Sequence, residues 1–120
     1  MLILVRPHTS LLDGPRIAWT LYRRGLLRCV FPVDVYYARH PVWGALLRAY
    51  GRLCGHAEMR AMDRTSPFAL RELARLLQRG RIVVVFPQGT GLADSHRPDQ
   101  DGWRWLVRRC PGIEVRELHL

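Results

Sequence analysis

Short apolar runs alternate with segments of helical period along the whole chain. Leu2-Ile3-Leu4-Val5 is unbroken and apolar and stops before Pro7, which predicts a buried strand. From Gly14 to about Cys29, Ile17, Leu21 and Tyr22 recur at helical spacing. Phe31 to Tyr37 predicts a second strand, with Phe31, Val33 and Val35 alternating with Pro32 and Asp34. A helix from Pro41 to about Cys54 carries Val42, Ala45, Leu46, Ala49, Tyr50 and Leu53 in one stripe, with Arg48 and Arg52 one turn apart outside it. Gly55 closes that helix, and His56 to Met62 forms a short strand of weak pattern. Ser66-Pro67 is a helix start, with the serine as cap; Leu70, Leu73, Leu76 and Leu77 face inward and Gly80 ends the segment. Ile82 to Phe86 has no polar interruption, as expected of a central strand covered on both faces. A loop rich in glycine, proline and aspartate follows, then a short helix from Trp103 to Cys110 and a last strand from Ile113 to Leu118. The order β-α-β-α-β-α-β-α-β predicts an α/β fold: a mostly parallel central sheet flanked by helices.

Length and charge narrow the reading. The 120 residues suit one domain over 1–120, large enough to build a core without staples. All 19 basic residues are arginine, and against 10 acidic ones they give +9, which implies an anionic partner: phosphate, a negatively charged membrane face or nucleic acid. A nucleic-acid-binding module is disfavoured, because aromatics interleaved with basic residues on one sheet face are absent. Cys29, Cys54 and Cys110 are odd in number, lack metal-ligand spacing and sit among apolar residues, so they read as buried thiols of a reducing compartment and no metal is expected. No run approaches the roughly 18–20 apolar residues of a membrane span. Met1 to Val5 is too short for a signal segment, which argues against secretion.

Candidate chemistry sits at strand ends, where ligands of open α/β sheets bind. After the first strand, His8 and Asp13 form a His-x-x-x-x-Asp pattern. On a regular helix they would diverge by roughly 140°, so they meet only if the chain turns between them, as Pro7 and Gly14-Pro15 allow. A carboxylate beside an imidazole fixes its tautomer and makes it a competent base toward a hydroxyl. The same residues also fit a capping turn with an incidental histidine. His96 and Asp101 share the spacing but lie in a polar stretch that no strand enters, and read as a solvated loop. Phe86-Pro87-Gln88-Gly89-Thr90-Gly91 leaves the strongest strand, and its glycines let backbone N–H groups approach an anion. It is not a Walker loop, since no Lys-Ser/Thr follows. Arg64, at the end of the weak third strand, has the planar fork suited to phosphate; a surface ion pair with Asp63 fits it equally.

Taken in order, His8-Thr9-Ser10-Leu11-Leu12-Asp13-Gly14, Ala61-Met62-Asp63-Arg64 and Phe86-Pro87-Gln88-Gly89-Thr90 resemble the successive blocks of the glycerolipid acyltransferases, the family of lysophospholipid and glycerol-phosphate acyltransferases. Arg39-His40-Pro41-Val42-Trp43-Gly44 is similar to the family's helix entry, and Gly80 to Phe86 to its approach to the third block. The resemblance implies a family core reduced in length. It implies transfer of a fatty acyl group from acyl-CoA or acyl-carrier protein to the hydroxyl of a lysophospholipid or glycerol phosphate, in phospholipid biosynthesis or remodelling, as in 1-acylglycerol-3-phosphate O-acyltransferases. It assigns His8 as the base and Asp13 as its orienting carboxylate, with Ser10, Arg64, Gln88, Gly89 and Thr90 in the substrate site and no cofactor beyond the acyl donor. It further implies a peripheral position on the cytoplasmic face of an anionic membrane, where the helix from Pro41 to Cys54, with Trp43 and Tyr50, is a candidate contact; packing of that helix on the sheet is the alternative. Gln88 stands where most members have Glu, Gly91 where many have Arg, and Glu117 where a proline is expected. A catalytically reduced lipid- or phosphate-binding relative is therefore the alternative to an active enzyme.

Overall fold

The computed structural model describes residues 1–6, 13–34, 39–62, 67–86 and 102–119. Their elements are β1 (Leu2–Arg6), α1 (Asp13–Arg23), β2 (Val30–Asp34), α2 (Trp43–Leu53), β3 (Glu58–Met62), α3 (Pro67–Gln78), β4 (Val83–Val85), α4 (Gly102–Arg109) and β5 (Val115–His119). The five strands form one sheet in the order β3-β2-β4-β1-β5, and every pair is parallel. The expected α/β architecture is thus present, with a sheet parallel throughout.

Burial explains which apolar runs became interior strands. Leu2, Ile3, Leu4 and Val5 of β1 and Val83 and Val84 of β4 are all buried, because helices cover both sides of the sheet. Leu2, Leu4, Val30 and Val83 pack with Leu73, Ala74, Leu76 and Leu77 of α3 and Leu106 of α4. Ile3, Val5 and Val84 pack on the other face with Ile17 and Leu21 of α1. Each fully buried side chain of this size contributes roughly 1.5–3 kcal/mol. The helix α2 joins α1 on that second face, where the Tyr50 hydroxyl donates to the Pro15 carbonyl oxygen at 2.9 Å.

Two expected elements are shorter or turned. Helix α1 ends at Arg23 rather than near Cys29, because Gly25 (φ 79°) and Arg28 (φ 58°) take left-handed conformations that no helix continues through. In α2 the expected stripe does not face the sheet: Val42, Leu46 and Leu53 are exposed, while Gly44, Gly51 and Cys54 are buried. A Cβ on Gly51 would collide with the Ala57 carbonyl oxygen, so the helix approaches the entry to β3 on its small residues. His40 opens this helix, its Nδ1 accepting the backbone N–H groups of Val42 (3.2 Å) and Trp43 (3.1 Å). The three cysteines are free and buried, as expected of thiols among apolar residues. Among the described residues, no helix is long and apolar enough to cross a membrane.

Candidate active site

The connections determine where a ligand fits. From β1 the chain crosses through α1 to β2 and through α2 to β3, moving one way along the sheet. It returns through α3 to β4 and through α4 to β5, moving the other way. Right-handed crossovers place the two pairs of helices on opposite faces. Strands β1 and β4 are direct neighbours, with Leu4 opposite Val85, yet the chain leaves β1 toward one face and β4 toward the other. At such a reversal, ligands of open α/β sheets bind beyond the carboxyl ends of the two strands.

The described elements that flank the candidate residues end or begin at the carboxyl edge of the sheet. The segment with His8 and Ser10 has both ends at this edge, since β1 stops at Arg6 and α1 begins at Asp13. The segment with Gln88, Gly89 and Thr90 departs from β4, next door. Arg64 follows the end of β3 at Met62. His8, Ser10, Arg64, Gln88, Gly89 and Thr90 themselves lie outside the described residues. Asp13 lies within them. It is 2 % exposed, the one buried charged residue among those described, and stands in the first turn of α1, where the helix dipole favours a carboxylate.

An apolar cleft lies beside this edge. Gly14, Pro15 and Ala18 of α1, Leu47, Tyr50 and Gly51 of α2, the strand β2 and Phe86 line it; its volume is about 90 Å³, and one side is open. That is smaller than the roughly 150 Å³ of a cavity that holds benzene, so a longer ligand has to continue along the open side. Pro32 is part of its wall and interrupts the pairing of β2 with β4. The Val30 N–H donates across to the Ile82 carbonyl at 2.8 Å, and in a parallel strand the residue two further on faces the same neighbour. Pro32 has no N–H to give, and Val30–Val83 is the only β2–β4 register pair among the described residues. The cleft lining was not singled out from sequence; a proline inside an apolar strand was its one visible signal. Tyr50, grouped with a possible membrane contact, is instead half-buried against α1.

The geometry therefore offers a buried carboxylate, a reversal of crossover direction between neighbouring strands and an apolar recess within one assembly of elements. Among the described residues no group of three or more His, Cys, Asp or Glu is placed to hold a metal ion. The family model described as Acyltransferase matches residues 1–116. No solved structure matches the chain.

Proposed function

Because the chain belongs to the acyltransferase family, in its glycerolipid branch, we propose that it moves a fatty acyl group from an acyl thioester to the hydroxyl of a lysophospholipid or glycerol phosphate. The observation that carries this reading is the buried Asp13 carboxylate at the start of α1, beside the strand crossing point and next to an apolar cleft. In this reading Asp13 accepts a hydrogen bond from one ring nitrogen of His8 and leaves the other free as a base. That nitrogen takes the acceptor's hydroxyl proton as the oxygen attacks the thioester carbonyl carbon. The tetrahedral intermediate collapses with cleavage of the C–S bond, and the departing sulfur takes the proton back from the imidazolium. The products are an ester and a free thiol.

Arg64 and the backbone around Gly89 and Thr90 hold the acceptor's phosphate, with Ser10 and Gln88 completing the polar wall. Gln88 hydrogen-bonds as an amide and adds no charge. The cleft under α2 takes the part of the acyl chain nearest the thioester. The donor is acyl-CoA or acyl-carrier protein, and the enzyme works from the cytoplasmic face of a membrane. The test is mass-spectrometric detection of acylated product when purified protein is given a long-chain acyl-CoA or acyl-carrier protein together with lysophosphatidic acid, other lysophospholipids or glycerol 3-phosphate. Acylated product above the protein-free rate is expected with at least one pair. Saturable acceptor binding without turnover on any pair would instead identify a binding relative.

A further inference from the structure

Six residues of α1 and α2 line the cleft. Five are apolar or lack a side chain, and the sixth, Tyr50, carries a hydroxyl. A tyrosine so placed keeps its ring in the apolar region and finds a partner for its oxygen. Here the partner is the Pro15 carbonyl, 35 residues away in sequence, to which the hydroxyl donates at 2.9 Å. The place where this bond lands matters. Asp13 is the first residue of α1 and Pro15 the third, so the carbonyl that Tyr50 holds belongs to the turn that carries the buried carboxylate. Gly14 lies between them, and a Cβ built there would meet no described atom within 4 Å. A turn with open space on that side gains from a hydrogen bond supplied by another helix. Helix α2 is in turn set by the close approach of Gly51, next to Tyr50, to the Ala57 carbonyl. The tie therefore runs from the entry of β3 through α2 to the start of α1.

We infer that Tyr50 is a positioning residue: its hydroxyl pins the first turn of α1 and so fixes where the Asp13 carboxylate stands. The inference rests on the catalytic reading, in which Asp13 orients the His8 ring. Tyr50 acts through Asp13 and takes no part in the proton transfer. A base held slightly out of line loses rate, because the reacting atoms no longer meet in the productive geometry, while the binding of donor and acceptor is kept.

The experiment compares Tyr50→Phe with Asp13→Asn by two readouts, the acyl-transfer rate and an NMR titration of the His8 ring. Tyr50→Phe keeps the ring in the cleft and removes only the hydroxyl, so circular dichroism is unchanged. Its kcat falls about tenfold to a hundredfold, while KM for donor and acceptor stays within about twofold of the parent. In protein already carrying Asp13→Asn, adding Tyr50→Phe slows transfer by less than about twofold. A carboxylate beside an imidazole favours the protonated ring. The His8 ring therefore titrates at lower pH in Asp13→Asn and, by a smaller amount, in Tyr50→Phe. A tie that served stability alone would lower the urea midpoint and leave the His8 titration where it is in Tyr50→Phe, and that result overturns the inference. So does a Tyr50→Phe protein that fails to fold, a loss carried by KM, or an equal loss with and without Asp13→Asn. If Asp13→Asn itself leaves the titration unmoved, the pairing of His8 with Asp13 is what fails, and the role of Tyr50 falls with it. If both titrations move but the parent transfers no acyl group, the positioning stands and only the enzymatic reading is lost.

Discussion

Asp13 and Cys29 illustrate what burial does to single ionisable groups. Asp13 is a short carboxylate closed off from water and held in the first turn of α1, where the helix dipole favours its charge. Cys29, buried between α1 and the sheet, has its thiol pushed up from 9.0 to about 11 by loss of hydration, with the Arg81 charge pulling weakly the other way. The folded protein therefore holds this proton more tightly than the unfolded chain does. The resulting stability is complete below pH 9 and is lost as pH climbs through about 11. Tyr50, raised by burial and by its hydrogen bond with Cys54, acts in the same direction. Urea midpoints are expected to fall as pH rises across this window, with a gentler slope in Cys29→Ala. The same burial leaves all three cysteines slow toward a water-soluble disulfide reagent until the protein unfolds.

Among the elements, α2 separates what the sequence makes visible from what tertiary packing decides. Its helical period, its closure at Gly55 and its arginines were legible from residue order. Which side would face the sheet was not, because an apolar stripe is normally the inward one. The deciding contact is between Gly51 and the Ala57 carbonyl, where only a residue without Cβ lets helix and strand meet, and no periodicity reports it. Gly51→Ala is expected to destabilise the fold by about 1–3 kcal/mol, measurable as a lower denaturant midpoint. An unchanged midpoint would mean that α2 shifts outward at little cost. Strands β1 and β4 were readable for the opposite reason: an unbroken apolar run with helices on both sides has few alternatives. The end of α1 is not legible in the sequence, because Gly25 and Arg28 turn the chain within a stretch that remains compatible with helical spacing.

At the scale of the molecule, five parallel strands bring the carboxyl ends of β1, β3 and β4 to one edge, so blocks of sequence tens of residues apart start from the same place. Their order in the chain could be read directly. The reversal of crossover direction between β1 and β4 could not, since strand order is set by long-range pairing. The cleft depends on the same packing, with walls from two helices, the strand that carries Pro32 and the start of β3. The proposed function gives His8 and Asp13 a joint task, and a double-mutant cycle on the acyl-transfer rate tests it most directly. If the pair acts as a unit, His8→Ala lowers kcat by about 10²–10⁴-fold, Asp13→Asn by less, and His8→Ala with Asp13→Asn is no slower than His8→Ala alone. Transfer by His8→Ala at the parent rate, or losses that simply multiply in the double variant, would contradict the account.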